Sequence, residues 1–258
     1  MFLGVDIGNS HTVAGVFDKD GRIVKSLRIR TIKEATTDEI AVFLSQFLAI
    51  SGLNMDSIED MVISCVVPPL LSTWEGLCPS YLKGEVIIIS SGVSMGMPIL
   101  YKRPFEVGAD RLVNSIAAFE RFETSLIVID YGTATTFDCV SEKGEYLGGC
   151  IAPGPVLAAE SLFKGTSMLP RVDLFKGPEK AICQDTVSAM QAGIIYGFSG
   201  LTEGLIRQLS SEFPKKPKVV ATGGLASVIA GHCPSIEETI PDLTLEGLSI
   251  IYRRIKGL

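Results

Sequence analysis

The sequence predicts an α/β protein of two duplicated halves, each built on a mixed sheet, facing each other across a cleft. Two observations carry this. An apolar strand runs into Asp6-Ile7-Gly8-Asn9-Ser10-His11-Thr12 and out again through Val13 to Val16-Phe17; the phrase returns after residues 125–129 as Asp130-Tyr131-Gly132-Thr133-Ala134-Thr135-Thr136-Phe137. Each copy reads strand, Asp-x-Gly-x-x-x-Thr, strand, the pattern of a β-hairpin opened by a polar glycine turn. Behind the first copy, apolar runs alternate with segments of helical spacing, the order expected of parallel crossovers. A single copy is equally met by ordinary turn chemistry, because Asp and Gly are common turn formers. Two copies, each near the start of a half-chain, read as an internal repeat.

The remaining elements follow in order. Asp18-Lys19-Asp20-Gly21 is a turn, and residues 22–31 alternate like a third antiparallel strand. Thr36-x-x-Glu39 is a capping box that opens a helix with Ile40, Phe43, Leu44, Phe47 and Leu48 on one face. Residues 61–67 form a buried strand closed by Pro68-Pro69, followed by a helix over 71–82 with Trp74 and a strand over 85–90. Residues 92–111 are irregular and rich in Gly, Pro and charge, as suits a loop that makes contacts outside its own domain. A helix over 112–122 places Asp110 and Arg111 near its start, where an Asp serves as an ordinary cap; the adjacent Arg, unusual at a helix start, tilts the reading towards an anion or substrate site.

In the second half, a turn at Glu142-Lys143-Gly144 leads to a strand through Leu147 and a flexible Gly148-Gly149-Cys150-Ile151-Ala152-Pro153-Gly154-Pro155 before a helix. Asp185-Thr186 caps a long helix over 187–210 whose Gly193, Gly197, Gly200 and Gly204 imply close helix–helix contact, within the chain or between subunits. A strand over 218–221 ends in Thr222-Gly223-Gly224-Leu225 at a helix start, which is either a tight turn or a nucleotide site. The last helix, over 245–256, carries basic residues in its final turns, as the helix dipole favours.

Composition narrows the function. A chain of 258 residues, 47% hydrophobic and 20% charged, has the profile of a soluble globular protein. A net charge of −6 argues against a general nucleic-acid or anionic-membrane binder. No basic n-region precedes the first strand and no apolar run spans a bilayer, so a cytoplasmic protein is expected. Six cysteines without Cys-x-x-Cys spacing, and only two histidines, give no zinc pattern. The chemistry therefore rests on the two turns. Glycine lets the backbone approach a ligand, hydroxyls and turn amides can donate to phosphate oxygens, and a carboxylate can hold a cation that screens them. Neither a P-loop nor a Gly-x-Gly-x-x-Gly fingerprint is present.

The two hairpins with Thr222-Gly223-Gly224 resemble the phosphate-1, phosphate-2 and adenosine motifs of the actin, hexokinase and chaperone ATPase superfamily. Within it, Asp6 to Thr12, Glu106-Val107-Gly108-Ala109-Asp110-Arg111 and Asp130 to Thr136 together resemble the type III pantothenate kinases. Gly148-Gly149 through Gly154-Pro155 and Leu243-Thr244-Leu245-Glu246-Gly247-Leu248 extend that likeness over nearly the whole chain. The resemblance implies two ribonuclease-H-like domains, residues 1–117 and 118–258, facing an ATP cleft. It implies ATP-dependent phosphorylation of pantothenate, the first committed step towards coenzyme A. Carried over by position, Asp6, Ile7, Gly8, Asn9, Ser10, His11, Thr12 and Val13 hold the phosphates with Mg²⁺ or another divalent cation, and Thr133 contacts the nucleotide. Asp130 binds a monovalent cation, K⁺ or NH₄⁺, and Asp110 is the base. Tyr101, Gly108, Ala109, Asp110, Arg111 and Thr186 face pantothenate. The family is a homodimer whose substrate pocket is completed at the subunit interface.

The chain departs from the family pattern twice. It has Gly92-Val93-Ser94-Met95-Gly96 where Gly-Val-Lys-Thr-Gly is frequent, and Lys102-Arg103-Pro104 where Asp-Asn-Pro is frequent. Both departures fall in the implied substrate loop. A non-catalytic ATP sensor or an acceptor-free ATPase of the same superfamily would keep both hairpins without needing Gly108-Ala109-Asp110-Arg111.

Overall fold

The computed structural model describes residues 1–90 and 95–258. Ser94, in the first of those two departures, lies outside the described residues. The chain separates into two compact units: Met1–Met97, Lys102–Ala117 and Thr244–Leu258 form one, and Pro98–Tyr101 with Ala118–Leu243 form the other.

The first unit is organised on a five-stranded sheet in the order β3-β2-β1-β4-β5. Strands β1 (Phe2–Ile7), β2 (His11–Phe17) and β3 (Ile23–Arg30) form an antiparallel meander; β4 (Asp60–Cys65) and β5 (Val86–Ile88) add in parallel. Side chains alternate across the pleat, so Leu3, Val5, Ile7, Ala14 and Val16 share one face. They pack there with Ile40, Leu44 and Leu48 of α1 (Thr37–Ile50), Trp74 of α2 (Pro68–Glu75) and Leu77 of α3 (Leu77–Tyr81). The capping box is present as expected: Glu39 N donates to Thr36 Oγ1, and the Glu39 carboxylate accepts from Thr36 N. Pro68 and Pro69 do more than close β4. They occupy the first turn of α2, where a missing amide hydrogen costs nothing, and Gly76 then divides the expected single helix into two.

The opposite face of this sheet is covered by α8 (Leu243–Lys256). Gly4 and Gly15 are cross-strand partners, and the space they leave is filled by Leu248 and Leu245. Phe2 stacks between Phe17 and Tyr252, with ring centroids 4.7 and 3.8 Å away. The Tyr252 hydroxyl and Lys256 Nζ both reach Asp60 Oδ2, at 2.8 and 2.9 Å. The first turns of α4 (Ala109–Phe122) meet α8 where a Cβ on Gly247 would run into the Val113 carbonyl; Thr244 Oγ1 donates to Asn114 Oδ1 beside it.

The second unit repeats the plan. Its sheet runs β10-β9-β6-β7-β8, which from the other edge is the order of the first. Here β6 (Leu126–Tyr131), β7 (Ala134–Val140) and β8 (Tyr146–Pro153) form the antiparallel meander, and β9 (Lys218–Gly223) and β10 (Glu238–Thr239) add in parallel. The two-residue β10 is too short to leave a periodic signal. Ile127, Ile129, Tyr131, Phe137, Val219 and Ala221 pack with Ala159 of α5 (Pro155–Gly165), Ile195 of α6 (Thr186–Ser210) and Ile229 of α7 (Ala226–Ala230). Asp185 caps α6 by accepting from Ser188 N at 2.9 Å.

The α4–α8 crossing admits no side chain at residue 247. Gly247→Ala should therefore lower stability by about 1–3 kcal/mol, the usual penalty of overpacking, read as a lower urea midpoint at unchanged slope. Gly165→Ala, whose methyl meets open space, should stay within about 0.5 kcal/mol.

Candidate functional site

The first turn sits at the carboxyl end of β1. Gly8 N donates to His11 O at 3.1 Å, closing the three residues Gly8, Asn9 and Ser10. Thr31, just beyond β3, fixes the turn from the side: its amide donates to Ser10 O at 3.0 Å and its hydroxyl to Gly8 O at 2.7 Å. The Thr12 and Thr31 hydroxyls lie 3.0 Å apart, with Thr12 buried. Asn9, Ser10 and His11 are exposed, Asp6, Gly8 and Val13 half-buried, and Ile7 buried. Asp6 accepts from Ser64 Oγ at 2.9 Å, its neighbour across the parallel β1–β4 step. Cys65, next along β4, has its thiol pushed up, first by burial and then by the Asp6 carboxylate. His11 is pushed below its ordinary value by partial burial and then by Arg28 and Arg30.

The Gly108 to Arg111 segment reaches the same edge of this unit. Val66, just past β4, donates its amide to Ile7 O at 3.1 Å. A Cβ on Gly108 would lie 3.6 Å from the Val66 side chain and 2.5 Å from Asp110 Oδ1. The Asp110 carboxyl thus folds back over Gly108, and only glycine admits it. Arg111 N donates to Asp110 Oδ1 at 2.8 Å. Asp110 keeps an opening to solvent though densely surrounded by protein, and that burial pushes its pKa above the usual carboxylate value, against the opposing pull of Arg111. Ala109 and the Arg111 side chain are buried. The structure therefore gathers Asp6 to Val13 and Gly108 to Arg111 at one end of the first sheet.

In the second unit, Asp130 is the last residue but one of β6 and the turn is one residue shorter. Asp6 pairs with Val13 but Asp130 pairs with Thr136, and the pairs Ile7–Thr12 and Tyr131–Thr135 are the true equivalents. Sequence spacing aligns Thr12 with Thr136; the fold aligns it with Thr135, which is equally buried and donates to Pro153 O at 3.2 Å. Gly132 N donates to Ala134 O and Gly154 N to Thr133 O, each at 3.0 Å. Gly154 stands where Thr31 stands in the first unit, and a Cβ there would strike the Gly132 and Thr133 carbonyls. Gly223, at φ +95°, would place a Cβ 2.5 Å from Asp130 Oδ1. Two glycines thus keep the Asp130 turn clear of side chains. Thr133 is exposed on it.

Tyr101 and Thr186 occupy separate places in the second unit. Tyr101 belongs to the segment Pro98–Tyr101, held against β8 by a parallel bridge between Ile99 and Tyr146. Thr186 is the first residue of α6, exposed in an open groove of about 720 Å³ lined by Leu162, Leu169, Cys183, Met190 and Ile194 among others. Sequence reasoning missed Thr31, Ser64 and Asp138. A strand-end Thr, a strand Ser and a strand Asp carry no local signal; only the register, across 23 residues for Thr31 and 58 for Ser64, shows what they touch.

A duplicated mixed sheet with an Asp-x-Gly turn at the end of each central strand is a hexokinase-like arrangement. The chain superposes on a ROK hexokinase from Thermus thermophilus with TM-score 0.52 at 14% identity, covering 98% of this chain and 99% of that one. That likeness shows the fold. Residues 2–208 match the family profile described as type III pantothenate kinase. The type III pantothenate kinase of Desulfatibacillum aliphaticivorans is 51% identical over 257 residues, all of both chains, and that of Syntrophus aciditrophicus is 48% identical over 254 residues, 98% of this chain and 99% of its own. The chain belongs to the type III pantothenate kinase family.

Proposed function

We propose that this kinase transfers the γ-phosphoryl group of ATP to the hydroxyl of pantothenate, the opening step of coenzyme A synthesis, with Asp110 as its base. Family membership over the full length carries the reaction; the seat of Asp110 over Gly108, at the sheet end that holds Asp6, supports the role. Phosphoryl transfer depends on positioning and charge neutralisation, with a carboxylate near enough to take the hydroxyl proton as bonding develops. The exposed Asn9, Ser10 and His11 with the turn amides receive the phosphates, and Thr133 meets the nucleotide. Among the described residues no group of three His, Cys, Asp or Glu could hold a metal ion. A divalent cation would accompany the nucleotide, held by Asp6, phosphates and water; its chemistry is to neutralise phosphate charge. Tyr101, the Gly108 amide, Ala109, Arg111 and Thr186 contact pantothenate. The division into residues 1–117 and 118–258 stands for the duplicated halves of the sequence, although Thr244–Leu258 belong to the first compact unit and Pro98–Tyr101 to the second.

The ordinary carboxylate pKa is about 3.9, and that of Asp110 is raised. As a base it works ionised, so activity is lost as pH falls through this raised value and is full above it. Asp110→Asn should lower kcat about 10²–10⁴-fold, abolish that acidic limb in the pH–rate profile, and leave the Kd for ATP near that of the native enzyme. An unchanged kcat would reduce Asp110 to a helix cap and favour the ATP-sensor reading; lost ATP binding in a folded variant would move Asp110 to the nucleotide site.

The glycine-cleared turn at Asp130 fits a monovalent cation, K⁺ or NH₄⁺, held by its carboxylate. Replacing potassium by sodium at equal ionic strength should lower the rate of the native enzyme, and Asp130→Ala should erase the difference. Equal rates in both salts would remove the ion from this reading.

The enzyme works as a homodimer in the cytoplasm; no described helix is long and apolar enough to cross a membrane. Gly193, Gly197, Gly200 and Gly204 line one side of α6, and beyond the helix's own backbone no heavy atom of the described protomer comes within 4 Å of where a Cβ would stand. Each glycine costs a helix roughly 0.5–1 kcal/mol relative to alanine, and an approaching second backbone accounts for retaining four. Met168, Phe175, Ile182 and Val187 are exposed nearby in the sequence, an apolar set of the kind that marks an interface. Light scattering should give twice the 27.6 kDa of one chain, and Gly197→Leu should return the protomer. A fully active 27.6 kDa species would overturn the dimer.

A further inference from the structure

The sheet face that carries Asp130 also carries Thr136, Asp138 and Tyr146, because Asp130 pairs with Thr136 and Tyr146 with Val140. Asp138 is a carboxylate only 1% exposed. Thr136 Oγ1 donates to its Oδ2 at 3.0 Å, and the Tyr146 hydroxyl donates to its Oδ1 at 2.8 Å. A buried charge serves packing poorly, since an apolar residue of similar size would cost less to desolvate. Its geometry serves orientation well. Both carboxylate oxygens receive hydroxyls, and the Tyr146 ring, itself wholly buried, is fixed by its far end.

Tyr146 in turn holds the segment that ends in Tyr101. Its amide donates to Pro98 O and its carbonyl accepts from Leu100 N, both at 2.8 Å. The register shifts between Cys139 and Val140, so that Gly148 pairs with Cys139 and Tyr146 with Val140, leaving Leu147 unmatched. A bulge of this kind re-aims the strand that carries it. Gly148 adopts φ +109°, and a Cβ there would stand 3.2 Å from Tyr101 Cε2, so the Tyr101 ring lies directly on the glycine. The Tyr101 and Tyr146 rings are 6.3 Å apart at 52°. Fixing Tyr146 therefore fixes the backbone and the ring support of Tyr101.

We propose that Asp138 is a positioning residue for the acceptor: through the Tyr146 hydroxyl it sets the Pro98–Tyr101 segment, and so the place of the Tyr101 side chain that meets pantothenate. The proposal rests on the reading above that Tyr101 contacts pantothenate. Asp138 touches neither substrate. It acts on pantothenate binding and leaves the nucleotide alone.

Steady-state kinetics of the full-length enzyme with Mg²⁺–ATP and pantothenate test this in a double-mutant cycle of Tyr146→Phe and Tyr101→Ala. Tyr146→Phe should raise the KM for pantothenate roughly 2–10-fold, the effect of one net hydrogen bond, and leave the KM for ATP in place. In the Tyr101→Ala background the same change should have no further effect on pantothenate, the signature of two residues acting in series. Asp138→Asn keeps an oxygen for Tyr146 but loses charge assistance; it should show the same selective pattern at smaller size, and it covers the case in which Tyr146→Phe does not fold. An equal rise in both KM values, or effects of Tyr146→Phe and Tyr101→Ala that simply add, would overturn the positioning role while leaving Tyr101 in the pantothenate site. A native pantothenate KM in Tyr101→Ala alone would overturn both.

Discussion

Each half of the chain depends on one clasp, the tie between an Asp-x-Gly turn and the end of the third strand of its meander. In the first unit the clasp is a side chain: the Thr31 hydroxyl takes the Gly8 carbonyl while its amide takes Ser10. In the second it is bare backbone: Gly154 N takes the Thr133 carbonyl, and any side chain at 154 would collide with the turn. The clasp sets how far the turn leans towards the third strand, and thereby where the exposed amides and hydroxyls face. Without it, a turn of Gly, Asn and Ser would sample many conformations and lose its pre-organisation. The two solutions also separate the turns chemically. One carries amide, hydroxyl and imidazole groups, while the other carries threonines around a carboxylate that Gly154 and Gly223 approach with bare backbone.

Much of this was legible in the sequence, for identifiable reasons. Period-two alternation marks a strand with one buried face, so both meanders stood out, and Thr36 and Asp185 announced their helices because a cap needs a short polar side chain beside a free amide. What failed to show was register. Counting residues from Asp to Thr made Thr12 and Thr136 equivalent, whereas strand pairing makes Thr135 the counterpart, since the second turn is one residue shorter. Pro68-Pro69 was read as a strand stop when it is also a helix start, because proline satisfies both roles equally. Asp138 was passed over because a strand Asp in an alternating pattern reads as solvent-facing; its burial depends on Tyr146, eight residues on across a bulge.

The candidate site shows the same division. Asp6, Asp110 and Asp130 were found because each stands beside glycine in a recurrent phrase. The reason for those glycines differs at each place and emerges only in three dimensions: Gly108 makes room for the Asp110 carboxyl itself, and Gly223 makes room for that of Asp130 from a strand 93 residues further along the chain than the aspartate. A carboxylate in such a place needs space as well as a hydrogen-bond partner; at Asp110 that space comes from a glycine of the same phrase, and at Asp130 from a residue remote from the motif.

The position of α8 has a consequence for how the protein is made. Its leucines fill the gap above Gly4 and Gly15, and its Tyr252 and Lys256 fasten to Asp60. The first sheet, assembled from residues 2–88, therefore lacks the cover of one face until residues 243–256 have been made. Single-domain stretches of a chain commonly fold as they emerge; here one face of the first sheet is closed only by contacts some 230–250 residues apart in sequence. Contacts of such long range are slow to form because a large loop must first be closed. Emergence of α8, rather than synthesis of the strands, completes the support of the first sheet and of the Asp6 turn at its end.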